Sequence, residues 1–381
     1  MKISLINHID EISREDWNRI TGLEYPFIRH EFLHALEDSA CVSEETGWMP
    51  QHCLVYEKDK LIALMPMYKK THSHGEYVFD FEWAHAYRQH GLAYYPKWLT
   101  AIPFTPCEGE RLFIKAGVDK ELIFKSIMAY LIGNAETENI SGWHCLFPTL
   151  EEVNLFKSTD LAIREGVQFR WMNKGYRDFK DYLDSFNSKK RKTLLRERRF
   201  ISDQGIMLKQ VYGKDITEQQ LDVFFQFYQL TYLKRGNPPY LNLEFFKEIA
   251  ETMPEQLLLI LAIKDNTYVG AAFSLVGKDS LYGRYWGCYE EYHSLHFEAC
   301  YYQGLEYCIN NQLTCFDSGA QGEHKIARGF EPVTTYSAHW LSDPKFAAAI
   351  KGFTNREASL MEKYRSSAAG LLPFKNKGHL D

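Results

Sequence analysis

A strand–turn–strand pattern that returns roughly 200 residues later narrows the fold more than any other feature of this chain. His52-Cys53-Leu54-Val55-Tyr56, a Lys58-Asp59-Lys60 turn and a strand from Leu61 to Tyr68 reappear as Leu257 to Ile263, Lys264-Asp265-Asn266 and Tyr268 to Val276. The second copy continues through Gly277-Lys278-Asp279 into Leu281 to Cys288. A helical pattern and an apolar segment follow each copy: Asp119 to Asn134 then Trp143 to Phe147, and His293 to Asn310 then Thr314 to Asp317. A spacing of about a domain length argues for duplication rather than a solenoid of short repeats. The expected fold is α/β (α+β), with two tandem units, each a mixed, mostly antiparallel sheet flanked by helices. The expected division is 1–160 and 161–345, the second domain holding the candidate site. Glu151 to Glu165 reads as a connecting helix. A helix over 346–365 packs against the first domain, and 366–381 form a flexible tail.

Composition removes several classes. Lys and Arg number 44 against 50 Asp and Glu, for a net charge of −6, and 45% of residues are apolar, which excludes a disordered, collagen-like or simply basic nucleic-acid-binding chain. The eight cysteines lie scattered without a C-x-x-C, against a zinc ribbon or a disulfide framework and for a reducing compartment. No signal-like apolar segment opens the chain, and Leu257 to Ile263 is too short to span a bilayer, so a cytoplasmic location is expected.

The densest polar stretch, Asp317 to Phe330, follows a strand end, where rigid scaffolds display functional side chains. Its glycines admit a ligand, and Gln321, Glu323, His324, Lys325 and Arg328 supply donors, a base and positive charge, although the same composition equally fits a solvated polar loop with turn glycines. Upstream, Arg284 sits beside Tyr285 and Trp286 in a strand carrying Gly283 and Gly287, suited to an anion between aromatic walls. The next helix bears His293, His296, Glu298, Cys300 and Tyr302. The i, i+3, i+7 spacing of His293, His296 and Cys300 raises metal binding, but no consistent further ligands accompany them and no metal is expected. His296 or Glu298 as a proton acceptor is the better reading. In the first half, Asp80, Glu82, His85 and Arg88 interleave with aromatics. Strand alternation would put Asp80 and Glu82 on one face, as paired acids, as a grip on substrate amines or as turn caps. Lys189, Lys192, Arg196 and Arg199 share a helical face and form either a solvated surface or a phosphate-attracting stripe for tRNA or another polyanion.

Taken together, Gly283 to Gly287, Leu295-His296-Phe297-Glu298, Tyr301-Tyr302-Gln303-Gly304, Gly319 to Lys325 and Arg328-Gly329-Phe330 resemble the Fem-like predicted N-acyltransferases. Thr46-Gly47-Trp48, Gly75 to Asp80 and Ala101 to Pro106 fit the same family, and the resemblance spans roughly Pro26 to Glu357. That family is similar to the Fem-type peptidoglycan-bridge aminoacyltransferases. The resemblance therefore implies a tandem GNAT-like fold, an aminoacyl-tRNA or acyl-CoA co-substrate without a tightly bound cofactor, and a peptide-like or cell-envelope acceptor amine. Ser188 to Lys192 and Gly205-Ile206 look like the stretch that opens the second unit. Arg328-Gly329-Phe330 looks like the family's Lys-x-Gly-Phe element, with Arg in place of Lys. No clean copy of the pyrophosphate-binding Gln/Arg-x-x-Gly-x-Gly/Ala motif is found.

The expected activity is N-acyl transfer. Arg284, Lys325 or Arg328 would face the developing oxyanion and any phosphate, and Glu298, His296 or His324 would take the proton. Asp80, Glu82, His85 and Arg88 would hold the acceptor. The alternatives are a non-catalytic protein that binds an envelope precursor or nucleotide-linked sugar, an acetyl-CoA-dependent N-acetyltransferase, and nucleic-acid binding without catalysis. The reading requires the loop after Phe316 to meet the strand around Trp286 in one cleft.

Overall fold

The computed structural model describes residues 1–320 and 322–375. The chain forms two compact units, Met1–Val167 with Thr334–Lys363, and Gln168–Val333 with the described residues from Tyr364. Residues 334–345, expected in the second domain, thus fall in the first unit.

The first unit runs β1 (Lys2–Ile6), α1 (Arg14–Thr21), α2 (His30–Asp38), β2 (Trp48–Pro50), β3 (His52–Glu57), β4 (Lys60–Met65), β5 (Tyr68–Lys70), α3 (Phe81–Gln89), β6 (Lys97–Thr100), β7 (Phe113–Ile114), α4 (Lys120–Ala135), β8 (Gly142–Leu146) and α5 (Leu150–Phe156). Through β9 (Ala162–Met172) the chain enters the second unit: α6 (Phe179–Asp184), α7 (Ser188–Asp203), β10 (Met207–Tyr212), α8 (Glu218–Leu233), α9 (Leu243–Thr252), β11 (Leu257–Lys264), β12 (Thr267–Val276), β13 (Ser280–Cys288), α10 (Leu295–Phe297), a π turn (Glu298–Tyr302), α11 (Gln303–Asn310) and β14 (Cys315–Asp317). It returns through β15 (Glu331–Leu341) and α12 (Pro344–Ala369). Strand order is β1-β3-β4-β7 and β15-β8-β6-β5-β2 in the first unit, and β10-β11-β12-β13-β14-β9 in the second.

The duplication is written in backbone geometry. Lys58-Asp59 and Asp265-Asn266 all take positive φ, the two-residue turn that matches strand twist, and each hairpin slips register a few residues beyond its turn. The equivalent turn residues are offset by one from the alignment the letters suggest. In both units a parallel pair, β6 with β8 and β13 with β14, is joined through a helix. In α4 that helix turns Ile123, Phe124, Ile127, Met128, Leu131 and Ala135 into the core, and Asp119 caps its first turn.

Three expectations are corrected. Glu151 to Glu165 is not one helix: α5 ends at Phe156 and β9 begins at Ala162, where the β-branched and alternating residues satisfy a strand. Asp80 and Glu82 do not share a strand face, because Phe81–Gln89 is helical. Asp80 is the buried residue at its N-cap, whereas Glu82, His85 and Arg88 are exposed. Of the expected tail, 366–369 continue α12 and Phe374 bridges to Phe186, with rings 5.3 Å apart. Residues 376–381 lie outside the described residues.

The first unit also buries charge. Lys97, fully enclosed, donates to Glu76 (2.9 Å), Ser73 (3.0 Å) and Asp80. Burial alone would raise the Asp80 carboxyl, but Lys97 outweighs it and holds that group well below the usual carboxylate range. The Tyr94 hydroxyl donates to Asp80 (2.7 Å) and approaches His144, which pairs with His339 (2.6 Å), itself paired with Ser337 (2.8 Å). Burial, with Arg164 nearby, lowers His339 to about 3. Below the unfolded value of 6.5 only the unfolded chain binds this proton, so the stability contribution is complete above about pH 6.5 and is lost toward pH 3. We expect His339→Asn to flatten the fall of the unfolding free energy, obtained from urea titrations, across that window by up to about 1.4 kcal/mol per pH unit. Parallel pH curves for the two proteins would contradict it.

Candidate active site

The candidate site of the second unit grows from an irregularity in one hairpin and the end of one parallel pair. β12 and β13 pair Phe273 with Tyr285 and then Ser274 with Gly283, leaving Arg284 as the extra, bulged residue. β13 pairs with β14 only through Ser280–Tyr282 and Cys315–Asp317. Past this pair, Gly283 lies against Phe316 and Ser318: a β-carbon there would stand 3.1 Å from the Phe316 ring and 3.6 Å from the Ser318 backbone. A cavity of about 100 Å³ opens here, lined by Ser274, Arg284, Trp286, His296, Tyr301 and Ser318 among others. The loop after Phe316 and the strand around Trp286 therefore share one cleft.

A second cavity of about 750 Å³ adjoins it, formed by Thr231, Lys234 and Arg235 at the end of α8 and by the stretch 291–297. Trp286 and His296 line both. The Thr231 hydroxyl, donating to the Trp286 carbonyl (2.9 Å), ties α8 to β13. Ser294 in the left-handed region starts the helical stretch 295–310, and its π turn rotates Glu298, Tyr301 and Tyr302 inward.

Within the cleft, His296 has no hydrogen-bond partner among the described residues and packs edge-on against Trp286 (5.8 Å) and Tyr301 (5.4 Å). Burial lowers it to about 4, helped by the positive fields of His324, Arg328, Lys325 and Arg235. Its ring is neutral at pH 7, with a lone pair available. His324, also lowered by burial and by Arg328 and Lys325, is exposed and pairs through Nε2 with the Tyr301 hydroxyl (2.8 Å).

The other expected residues are brought close but differently employed. The buried Lys325 ammonium donates to the carbonyls of Ser318 (3.0 Å) and Gly319 (2.6 Å), clamping the loop. Arg328 Nη2 is shared by both Glu197 oxygens (2.8 and 2.9 Å), its Nη1 donates to the His324 carbonyl (2.8 Å), and the guanidinium stacks 3.4 Å from the Phe297 ring centre. Glu298 is gripped by Arg198 (2.9 and 3.1 Å) and Gln303 (2.8 Å), which occupy both of its oxygens. Tyr302 donates to Glu197, Tyr285 packs into the aromatic core against Tyr228 and Phe246, and Glu323 accepts from Tyr364 (2.7 Å). Gln321 lies outside the described residues.

Glu197 and Arg198, the inner-face partners of these groups, went unread because they sit inside a run of cations. The one acid in that run was the available signal. Lys189, Lys192, Arg196 and Arg199 form an exposed row on α7, without an ion pair among the described residues, while Leu194, Glu197, Arg198 and Ile201 face inward. In the first unit, Lys97, Glu76, His144 and His339 also escaped notice, since nothing in isolated polar residues along strands and loops announces a buried cluster. Among the described residues, His85 pairs with its helical neighbours Arg88 (3.0 Å) and Gln89 (2.9 Å).

The fold and the cleft define an α/β protein of the Fem class. The chain belongs to the FemAB-like family, described as peptidoglycan biosynthesis/recognition, whose model matches residues 8–376. Among solved structures, FemX is similar at TM-score 0.54 and 11% identity, covering 92% of this chain and all of FemX. The C-terminal domain of a putative lysylphosphatidylglycerol synthetase from Agrobacterium fabrum has TM-score 0.54 and 9% identity, over 95% of this chain and 98% of that one. L-PGS from Bacillus licheniformis has TM-score 0.50 and 11% identity, over 87% and 96%. At these identities the likeness establishes the shared fold. No curated protein matches the sequence. Among the described residues, no helix is long and apolar enough to cross a membrane.

Proposed function

We propose that this chain is an N-acyltransferase of cell-envelope synthesis, moving an acyl or aminoacyl group onto an amine of a peptide-like precursor, with the chemistry in the second unit. The observation that carries the reading is a neutral imidazole, His296, at the junction of a large and a small cavity, packed among aromatic rings and within the field of Arg328, Lys325 and Arg235. The larger cavity, with Lys234 and Arg235 on its wall, takes the phosphate-bearing end of the donor. The activated carbonyl lies at the junction, where the bulged Arg284 faces the oxygen that gains charge as the amine attacks. The new C–N bond forms, the amine nitrogen becomes positive, and its proton passes to His296 as the donor's leaving oxygen or sulfur departs. Because Arg328, Lys325 and Arg235 depress His296, donor phosphates that offset their charge raise its basicity during the reaction.

Lys325 and Arg328 hold the loop and the aromatic floor, and Glu298 serves the frame rather than proton transfer. In the first unit, Glu82, His85 and Arg88 lie exposed on α3 and Asp80 is committed to Lys97. The exposed row Lys189, Lys192, Arg196 and Arg199 on α7 favours aminoacyl-tRNA over acyl-CoA as donor.

The test is a mass-spectrometric screen of aminoacyl-tRNA and acyl-CoA donors against envelope-precursor peptides. A product whose mass equals acceptor plus acyl group is the expected result. Precursor binding without product from any donor would replace this reading with that of a non-catalytic binding protein. With the RNA-linked donor, Arg196→Ala combined with Arg199→Ala should raise KM and reduce the slope of log affinity against log salt by about two.

A further inference from the structure

Helix α7 has two faces, and the ties on its inner face reach the π turn, α11, the 323–330 segment and the His293 wall of the larger cavity. Glu197 holds both Arg328 and the Tyr302 hydroxyl, and Arg198 holds both Glu298 and Glu306 (2.6 and 3.1 Å). At its C-terminal end, Phe200 packs 4.6 Å from His293 on the wall of the larger cavity, and the Gln204 amide donates to the His293 carbonyl (3.1 Å). The exposed cations Lys189, Lys192, Arg196 and Arg199 lie on the same rigid rod, about 15 Å from first to last at 1.5 Å per residue. We infer that Glu197 and Arg198 are positioning residues through which RNA bound on the outer face of α7 orders the π turn and the 323–330 segment of the transfer cleft.

Three features make the coupling physical. Arg198 grips Glu298 and Glu306 through two nitrogens each, a single Arg328 nitrogen is shared by both Glu197 oxygens, and the Tyr302 hydroxyl adds one hydrogen bond, so charge-assisted contacts tie the inner face of the helix at four points. The π turn is an irregular stretch at which such an element can take more than one arrangement. Phosphates on the outer row restrain α7 itself, and the restraint is passed on through four ties, from Glu197 to Arg328 and Tyr302 and from Arg198 to Glu298 and Glu306. This inference rests on the acyltransferase reading for its purpose but not for its measurement, since it predicts a change in dynamics that needs neither acceptor nor turnover.

The experiment is hydrogen-exchange mass spectrometry on the full chain, with and without a deacylated RNA minihelix ending in single-stranded CCA. RNA should slow exchange in peptides covering 295–303 and 323–330 by about fivefold or more, the lower end of typical site-to-site coupling. In Glu197→Gln the RNA affinity measured by fluorescence anisotropy should stay near the wild-type value while that RNA-dependent slowing disappears. Glu197→Asp should restore part of it. A merely structural Glu197 would change exchange equally with and without RNA and leave the difference intact, which would overturn the inference. So would RNA that does not bind, or that binds without slowing either segment. Should Glu197→Gln fail to fold, Tyr302→Phe removes one of the two inner ties of Glu197 and should reduce the RNA-dependent slowing. An unchanged difference in that variant would again refute it. Absence of acyl product in the donor screen, by contrast, would count against the enzymatic reading alone.

Discussion

Replacing His296 with Gln is expected to lower kcat by about 10²- to 10⁴-fold, the range associated with removing a positioned proton acceptor. Gln keeps a polar side chain of similar reach between Trp286 and Tyr301, so a large loss with unchanged thermal stability separates proton transfer from packing. The pH profile gives a sharper signature. In the free protein His296 is lowered to about 4 by burial and by four neighbouring cationic or ionisable groups, so the acid limb of kcat/KM should fall near pH 4. With donor phosphates beside Arg235, the limb of kcat should lie at higher pH. The variant should lose this limb. His324→Gln should retain it, because His324 is exposed and already engaged with Tyr301. An unchanged kcat in His296→Gln would leave orientation as the main source of rate and remove the proton-transfer role.

The largest effect on folding is expected at Gly287. A methyl there would fall inside the contact radius of the Phe227 carbonyl, which is backbone in the middle of α8 and cannot rotate away. Helix and strand would have to separate, and overpacking of this kind destabilises by about 1–3 kcal/mol or more. The separation would also loosen the Thr231–Trp286 tie and so enlarge the cleft. Gly133 supplies the contrast: it lies in α4 with open space around the would-be β-carbon, and Gly133→Ala should stabilise by about 0.5–1 kcal/mol. Urea unfolding of both variants checks the pair. A neutral Gly287→Ala would mean that the α8–β13 approach is not the constraint described here.

What could be read from sequence alone follows from which physical signals are local. The duplicated hairpin was legible because strand alternation and a two-residue turn of Lys, Asp and Asn are short-range features. The approach of Ser318 and Gly319 to Gly283 and Arg284 follows from chain order, because strand, helix and strand in succession set the two parallel strands side by side. Residues 80–88 were misread since an alternation of aromatic and charged residues fits both a period of 2 and one of 3.6. The roles of Lys325, Arg328 and Glu298 were not legible, because a charged side chain shows its partner only in three dimensions. Glu197 lies more than a hundred residues from Arg328 in the chain and is joined to it by a fork of two hydrogen bonds. The Lys97 cluster was missed for the same reason: burying a charge is unfavourable in isolation and becomes tolerable only when its counter-charges arrive from Glu76 and Asp80.

The account turns on one neutral imidazole held among cations, and histidine-selective NMR titration of the full chain reads it directly. With His296→Gln used to assign the signal, the His296 ring should remain uncharged from pH 7 down to about pH 4, and its midpoint should rise when an RNA minihelix carrying a non-hydrolysable 3′-aminoacyl amide is bound. A midpoint near 6.5 in the free protein, unmoved by that donor analogue, would contradict it.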